Sequence, residues 1–166
     1  MKTLWAPWRM EHVSGSALNP STCFFEPPGE MRSDKSHLLL FRDRLCVALL
    51  NRYPYANGHL LVAPRRHVAD LTDLDKDEQA ALMSMLTKSC AILRQALRPQ
   101  GINIGLNLGE CAGAGFASHL HFHIVPRWDG DHNFMAVCAE IRTIPQHIEQ
   151  TFDLLAEAFK QHYNNE

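Results

Sequence analysis

The chain has 166 residues, 46% apolar and 20% charged, the balance of a soluble globular protein rather than a disordered or fibrous one. A formal net charge of −2 argues against broad attraction to nucleic acid or acidic membranes, and no run approaches the roughly 18 apolar residues that span a bilayer. The cysteines (Cys23, Cys46, Cys90, Cys111 and Cys138) are odd in number and widely spaced, which speaks against a disulfide framework and fits a reducing, cytoplasmic setting. The start carries no long apolar stretch and reads as lacking a signal peptide.

Residues 1–36 read as irregular, punctuated by Gly15, Pro20, Pro27, Pro28 and Gly29. Two short apolar runs, His37–Phe41 and Leu45–Leu50, flank the charged turn Arg42-Asp43-Arg44 and predict a hairpin. A third strand, Gly58–Ala63, follows the turn-like segment Tyr53–Gly58. Asp75 and Glu78 resemble a capping box at the start of a long helix, whose apolar face is Leu82, Leu86, Leu93 and Leu97. Pro99 and Gly101 end it. Strands are expected over 102–108 and 119–125, joined by a glycine-rich loop. A last helix runs from about Pro145 to about Tyr163, with Ile148, Phe152, Leu155 and Phe159 on its apolar face. The order β-β-β-α-β-β-α implies an α+β fold, an antiparallel sheet with helices on one face. No repeat or linker divides the chain, so one domain over 1–166 is expected.

Ten histidines are many for this length, so their clustering matters. His119, His121 and His123 alternate with Leu120, Phe122 and Ile124. In an extended segment this puts three imidazoles on one face and three apolar side chains on the other. The residues alone leave three readings open: an exposed strand without chemistry, a three-histidine metal site, or a histidine nucleophile flanked by two supporting histidines. Upstream, the loop Asn107–Gly115 is glycine-rich, and such loops bring backbone N–H groups close to an anion. Arg127 follows the strand and adds positive charge.

The run His119-Leu120-His121-Phe122-His123-Ile124-Val125 resembles the signature of the histidine-triad (HIT) family. Leu49–Tyr55, Gly58–His67 and Asn103–Asn107 look like further blocks of that family. Trp5-Ala6-Pro7-Trp8-Arg9-Met10 and Trp128–Met135 look like its bacterial branch that includes diadenosine tetraphosphate phosphorylases. The resemblance implies a HIT-like fold: an antiparallel sheet of about five strands with one long and one C-terminal helix. It implies that His121 attacks the α-phosphate of a nucleotide and forms a covalent nucleotidyl-imidazole, with His123 and His119 completing the catalytic set. Water or phosphate then accepts the nucleotidyl group, phosphate being slightly favoured. Asn107, Gly113 and Gly115 would lie on the phosphates, Asn51 near the ribose, and His59 beside the triad.

Some members bind structural zinc through a Cys-x-x-Cys pair, a later histidine and the first triad histidine. The matching residues are Cys23, Glu26, His67 and His119, so a carboxylate stands where the second cysteine would be. The chain also departs from the family's polar Gln-Ser or Gln-Thr pair before the triad: Gly115 and Phe116 stand there, leaving Ser118 or backbone groups to assist the leaving group. Members are commonly homodimers acting on small nucleotides. Competing functions are a hydrolase of other adenylylated compounds, a weakly active nucleotide-binding module, and a metalloenzyme using all three histidines.

Overall fold

The hairpin expected near residue 43 forms because the Asp43 side chain closes it. Its Oδ1 accepts from the N–H groups of Leu45 (2.8 Å) and Cys46 (2.7 Å), and the Asp43 N–H donates to the Cys46 carbonyl. Strands β1 (Leu39–Arg42) and β2 (Cys46–Leu50) flank this turn. The computed structural model describes residues 23–131 and 146–164. Pro145, the Trp5–Met10 segment and Asn133-Phe134-Met135 lie outside them.

β3 (Leu60–Pro64), β4 (Gly101–Leu106) and β5 (Phe122–Arg127) complete a five-stranded sheet in the order β1-β2-β3-β5-β4, with every pairing antiparallel. The long helix α1 spans Lys76–Leu97, and α2 spans Ile148–Asn164. The capping box is present: Asp75 accepts from the Glu78 N–H, and Glu78 reaches back to the Asp75 N–H. Leu82, Leu86 and Leu93 are buried as the helical spacing requires, and Leu97 packs partly against the same core. On α2, Phe152, Leu155 and Phe159 are buried, with Ile148 at the margin. Among the described residues no helix is long and apolar enough to cross a membrane.

The sheet has apolar side chains on both faces. The helix side holds the larger core, including Leu50, Leu60, Val62, Leu120 and Ile124. The opposite side carries a smaller cluster of Phe25, Leu39, Val47, Leu49, Leu61 and Ala63. That second cluster exists because residues 23–29 fold across the sheet and lay Phe25, fully buried, on it.

Several strand boundaries differ from expectation. Arg42 belongs to β1, pairs with Val47 and is buried; it is not a turn residue. Its guanidinium finds carbonyls of the 27–29 turn, which a sequence pattern does not show. β4 ends at Leu106, and β3 runs to Pro64. The largest difference is β5, which begins at Phe122, so His119 and His121 precede the strand. The groups a ladder would use are taken elsewhere: Leu120 N–H donates to the Val68 carbonyl, and the His119 carbonyl accepts from the His121 ring. The alternation still holds, because Leu120 (2% exposed) and Ile124 (0%) enter the helix-side core.

Gly58 sets the height at which β3 enters. Its φ is +74°, and a Cβ there would collide with Leu97 Cδ1. Gly58→Ala is therefore expected to destabilise the fold by about 1–3 kcal/mol, chiefly through the left-handed φ, read as a lower midpoint in urea unfolding with unchanged m. An unchanged midpoint would show that the Leu97 side chain moves aside and that alanine takes the left-handed φ, both at no cost.

Candidate functional site

The expected site residues converge on the sheet face opposite the helices. His59 precedes β3, and His123 pairs with Leu61 in β5, on the face of the smaller cluster. His119 and His121 precede β5 beside Phe25, whose ring centroid lies 5.0 Å from that of His119 and 4.9 Å from that of His121. The His121 and His123 rings meet edge to face at 5.0 Å.

The hydrogen bonds fix the tautomer of each ring, because a carbonyl only accepts and a backbone N–H only donates. His121 Nδ1 lies 2.9 Å from the His119 carbonyl, so Nδ1 carries the proton and Nε2 keeps its lone pair. His59 Nδ1 receives the Tyr55 N–H at 3.1 Å, so its proton sits on Nε2 and is donated to His123 Nδ1 at 3.0 Å. His123 is thereby left with an Nε2–H. The two neighbouring rings thus present a lone pair (His121) and a donor (His123). This arrangement suits attack on an electrophile whose oxygens gather negative charge. Asn51 supports the relay: its amide Nδ2 lies 3.2 Å from His59 Nδ1, and its Oδ1 accepts from the Tyr53 N–H.

Burial holds these rings neutral. It pushes the pKa of His119 and of His121 below the usual histidine value, and His123, which also faces His121, falls to about 4. Protonating His123 would put an Nδ1–H against the His59 Nε2–H, two donors face to face. A depressed histidine pKa means that the unfolded chain takes up protons first, so stability rises with pH between about 4 and 6.5 and is lost as pH falls through that window. The His123 ring-proton resonance is expected to titrate near pH 4; a midpoint near 6.5 would break the proposed tautomer relay.

The loop between β4 and β5 contains a short 3-10 turn, Glu110–Ala112. Asn107 Nδ2 donates to the Gly113 carbonyl at 3.2 Å, which shapes the loop. Gly113 has φ +92° and so needs to be glycine, whereas Gly115 has ordinary backbone and open space around it. Phe116, one of the two residues at which the family resemblance implies a polar pair, packs edge-on to Phe24 at 5.1 Å and joins the loop to the N-terminal segment. Ser118 is exposed. Arg127 lies at the far end of β5 and pairs with Asp131 at 2.6 Å, so its charge is committed there.

Cys23, Glu26, His67 and His119 also come together. Each offers one ligand atom, and these atoms lie within 4.8 Å of one another. Cys23 Sγ is 3.1 Å and Glu26 Oε1 3.7 Å from His119 Nδ1, and His67 Nδ1 is 2.7 Å from Glu26 Oε1. A tetrahedral ion with bonds of about 2.0–2.3 Å needs ligands roughly 3.3–3.8 Å apart, so the set fits one after small adjustments. His119 donates its Nε2–H to the Pro64 carbonyl at 2.9 Å, which turns the Nδ1 lone pair toward the cluster, the outer-shell bond that metal-binding histidines usually have. The metalloenzyme alternative fares worse, since His121 and His123 are not among these ligands.

Phe25, the Tyr55 N–H and the Pro64 carbonyl escape a reading of the sequence. Phe25 carries one faint signal, its place between the candidate ligands Cys23 and Glu26. The other two are backbone groups, which no residue type announces.

Residues 32–130 match the family model described as HIT domain. The chain is 41% identical over 164 residues to a protein of Mycobacterium tuberculosis named AP-4-A phosphorylase, covering 94% of this chain and 83% of that one. Among solved structures, it resembles a zinc-bound histidine triad family protein from Mycobacterium smegmatis, with a TM-score of 0.63, 29% identity, and coverage of 78% of this chain and 88% of the other. A protein from Sulfolobus tokodaii described as a hypothetical histidine triad nucleotide-binding protein gives a TM-score of 0.62 at 25% identity, over 77% and 84% of the two chains.

Proposed function

The chain belongs to the HIT-domain family, and from that premise we propose that it is a nucleotidyl-transferring enzyme acting on dinucleoside polyphosphates such as diadenosine tetraphosphate. The observation that carries this reading is the pair of fixed tautomers, a lone pair on His121 Nε2 beside an N–H on His123 Nε2. In the proposed reaction His121 Nε2 attacks the α-phosphorus, and the bond to the bridging oxygen breaks. The remaining polyphosphate leaves with the electron pair. His123 donates to a non-bridging oxygen as charge develops, and His119, through its carbonyl, holds the His121 proton on Nδ1. Asn107, Gly113 and Gly115 would cradle the phosphates, with Asn51 on the ribose side and His59 keeping His123 in its donor form. An acceptor oxygen then attacks the nucleotidyl-imidazole and frees His121.

Phosphate is the favoured acceptor, on the strength of the likeness to the phosphorylase. Diadenosine tetraphosphate incubated with phosphate should give ADP plus ATP, and little product without phosphate. AMP plus ATP formed without phosphate would make the enzyme a hydrolase.

A zinc ion held by Cys23, Glu26, His67 and His119 would tie the N-terminal segment to the histidine segment, a structural role. The whole chain is read as one HIT domain that works as a homodimer. The edge strand β4, with Ile104 51% exposed, and Met83 on α1, 62% exposed, are the surfaces that favour pairing. Light scattering at twice the chain mass would support this; the monomer mass would refute it.

A further inference from the structure

The loop from Asn51 to His59 holds more of the histidine relay than one backbone donor. Its ends are paired, since the Asn51 N–H donates to the His59 carbonyl at 2.8 Å, and the His59 N–H closes the last turn on the Ala56 carbonyl at 3.2 Å. Asn57 ties the loop to the start of α2: its Nδ2 donates to Gln146 Oε1 at 3.0 Å, and its Oδ1 lies 2.9 Å from the buried Thr151 hydroxyl. This fixed loop folds the Tyr55 ring back over the relay. The ring lies nearly parallel to that of His123, with centroids 5.8 Å apart and planes 22° apart, and lies against that of His59 at 4.6 Å and 40°. Tyr55 is 49% exposed, whereas His59 beside it is fully buried. One aromatic side chain therefore covers both imidazoles of the Nε2–H···Nδ1 bond, while its own backbone N–H holds His59 Nδ1.

We propose that Tyr55 is a positioning residue, acting through the face of its ring: it keeps water from the His59–His123 hydrogen bond and holds the His123 plane, so that the His123 Nε2–H stays beside the His121 lone pair. This rests on the reaction proposed above, with His121 as nucleophile and His123 as donor. The hydrogen bond alone is weak protection. Water can replace either partner, and a half-turn of the His123 ring about Cβ–Cγ would put a carbon where Nδ1 accepts and carry Nε2 away. Stacking opposes that rotation, because aromatic rings favour offset, near-parallel neighbours. The excluded water leaves the bond in surroundings of low dielectric, where it is stronger. His121 meets the same ring edge to face at 68°, so the plane of His123 is set from two sides. Tyr55 acts only through His123, so its loss should slow the chemical step more than it weakens substrate binding.

The test compares wild type, Tyr55→Phe, Tyr55→Leu and Tyr55→Ala, all of which keep the backbone N–H that His59 accepts. Kinetics on diadenosine tetraphosphate with phosphate gives kcat and KM, and NMR of the His123 ring protons gives its titration midpoint in the free protein. Tyr55→Ala is expected to lower kcat about ten- to a hundredfold, with KM changed by no more than about threefold. The His123 midpoint should rise from about 4 toward the ordinary histidine value, since burial is the larger cause of its depression. Tyr55→Phe, which keeps the ring, should stay near wild type in both readouts. Tyr55→Leu, with bulk but no aromatic face, should fall between Phe and Ala, and carries the test if Tyr55→Ala does not fold. Wild-type kcat and midpoint in Tyr55→Ala overturn the proposal. A raised KM with unchanged kcat makes the ring a substrate contact and overturns it too. So does a fall in kcat with an unmoved midpoint, a moved midpoint with unchanged kcat, or a Tyr55→Phe as impaired as Tyr55→Ala. Absence of turnover in wild type sinks the reaction and with it the positioning role; a midpoint that still moves in Tyr55→Ala but not in Tyr55→Phe then leaves only the cover over the His59–His123 bond.

Discussion

His121→Ala is expected to lower kcat/KM on diadenosine tetraphosphate by roughly ten-thousand-fold or more, because no other described group offers an unprotonated nitrogen beside the His123 donor. The fold should survive. His121 contributes ring contacts with Phe25 and His123 and one hydrogen bond to its own segment, so the loss of stability should stay within about 1–2 kcal/mol. His123→Ala should cost less, roughly a hundred- to a thousand-fold, since it removes a donor to the developing charge but leaves the nucleophile. Equal kcat/KM in wild type and His121→Ala, measured at several protein concentrations, would remove histidine catalysis from the account.

Removal of the proposed zinc is the second large expected effect. The four donors tie residues 23–26 to His67 and His119, and no covalent link does this among the described residues. A chelator is expected to extract about one zinc per chain and to cost about 3 kcal/mol, a fall in Tm of roughly 6–12 °C. Cys23→Ser and Glu26→Ala should each reproduce most of that loss and abolish the effect of the chelator. Because His119 also supplies the carbonyl that sets the His121 tautomer, kcat should fall more than KM rises. Elemental analysis that finds no metal in protein purified without chelator, together with an unchanged Tm in Glu26→Ala, would show that neither a metal nor the Glu26 contact holds the N-terminal segment in place.

The elements that could be read from the sequence are those where one periodicity dominates. Leu82, Leu86 and Leu93 repeat at helical spacing behind a capping box, and α1 lies where they place it. The alternation of His119, His121 and His123 with Leu120, Phe122 and Ile124 correctly separates the two faces of the sheet. It does not set the start of β5, because alternation reports extended backbone and not which carbonyl pairs with which N–H. The same gap hides the tautomer relay: His59 could be singled out, but the Tyr55 N–H that fixes its proton is a backbone group brought close by the turn before β3. Arg42 reads as a charged turn residue from its neighbours Asp43 and Arg44. Its burial depends on residues 27–29 folding back over β1, a long-range contact no local pattern encodes.

The proposed covalent step has a direct test. Wild-type protein mixed with diadenosine tetraphosphate in the absence of phosphate, quenched within milliseconds and digested, should yield a peptide containing His121 that is heavier by one adenylyl group. The adduct should be acid-labile, as a phosphoramidate is, and should disappear on a chase with the acceptor. It should be missing from His121→Ala. An adduct on any other residue, or turnover with no adduct at any time point while His121→Ala remains active, would contradict the assignment of His121 as the nucleophile.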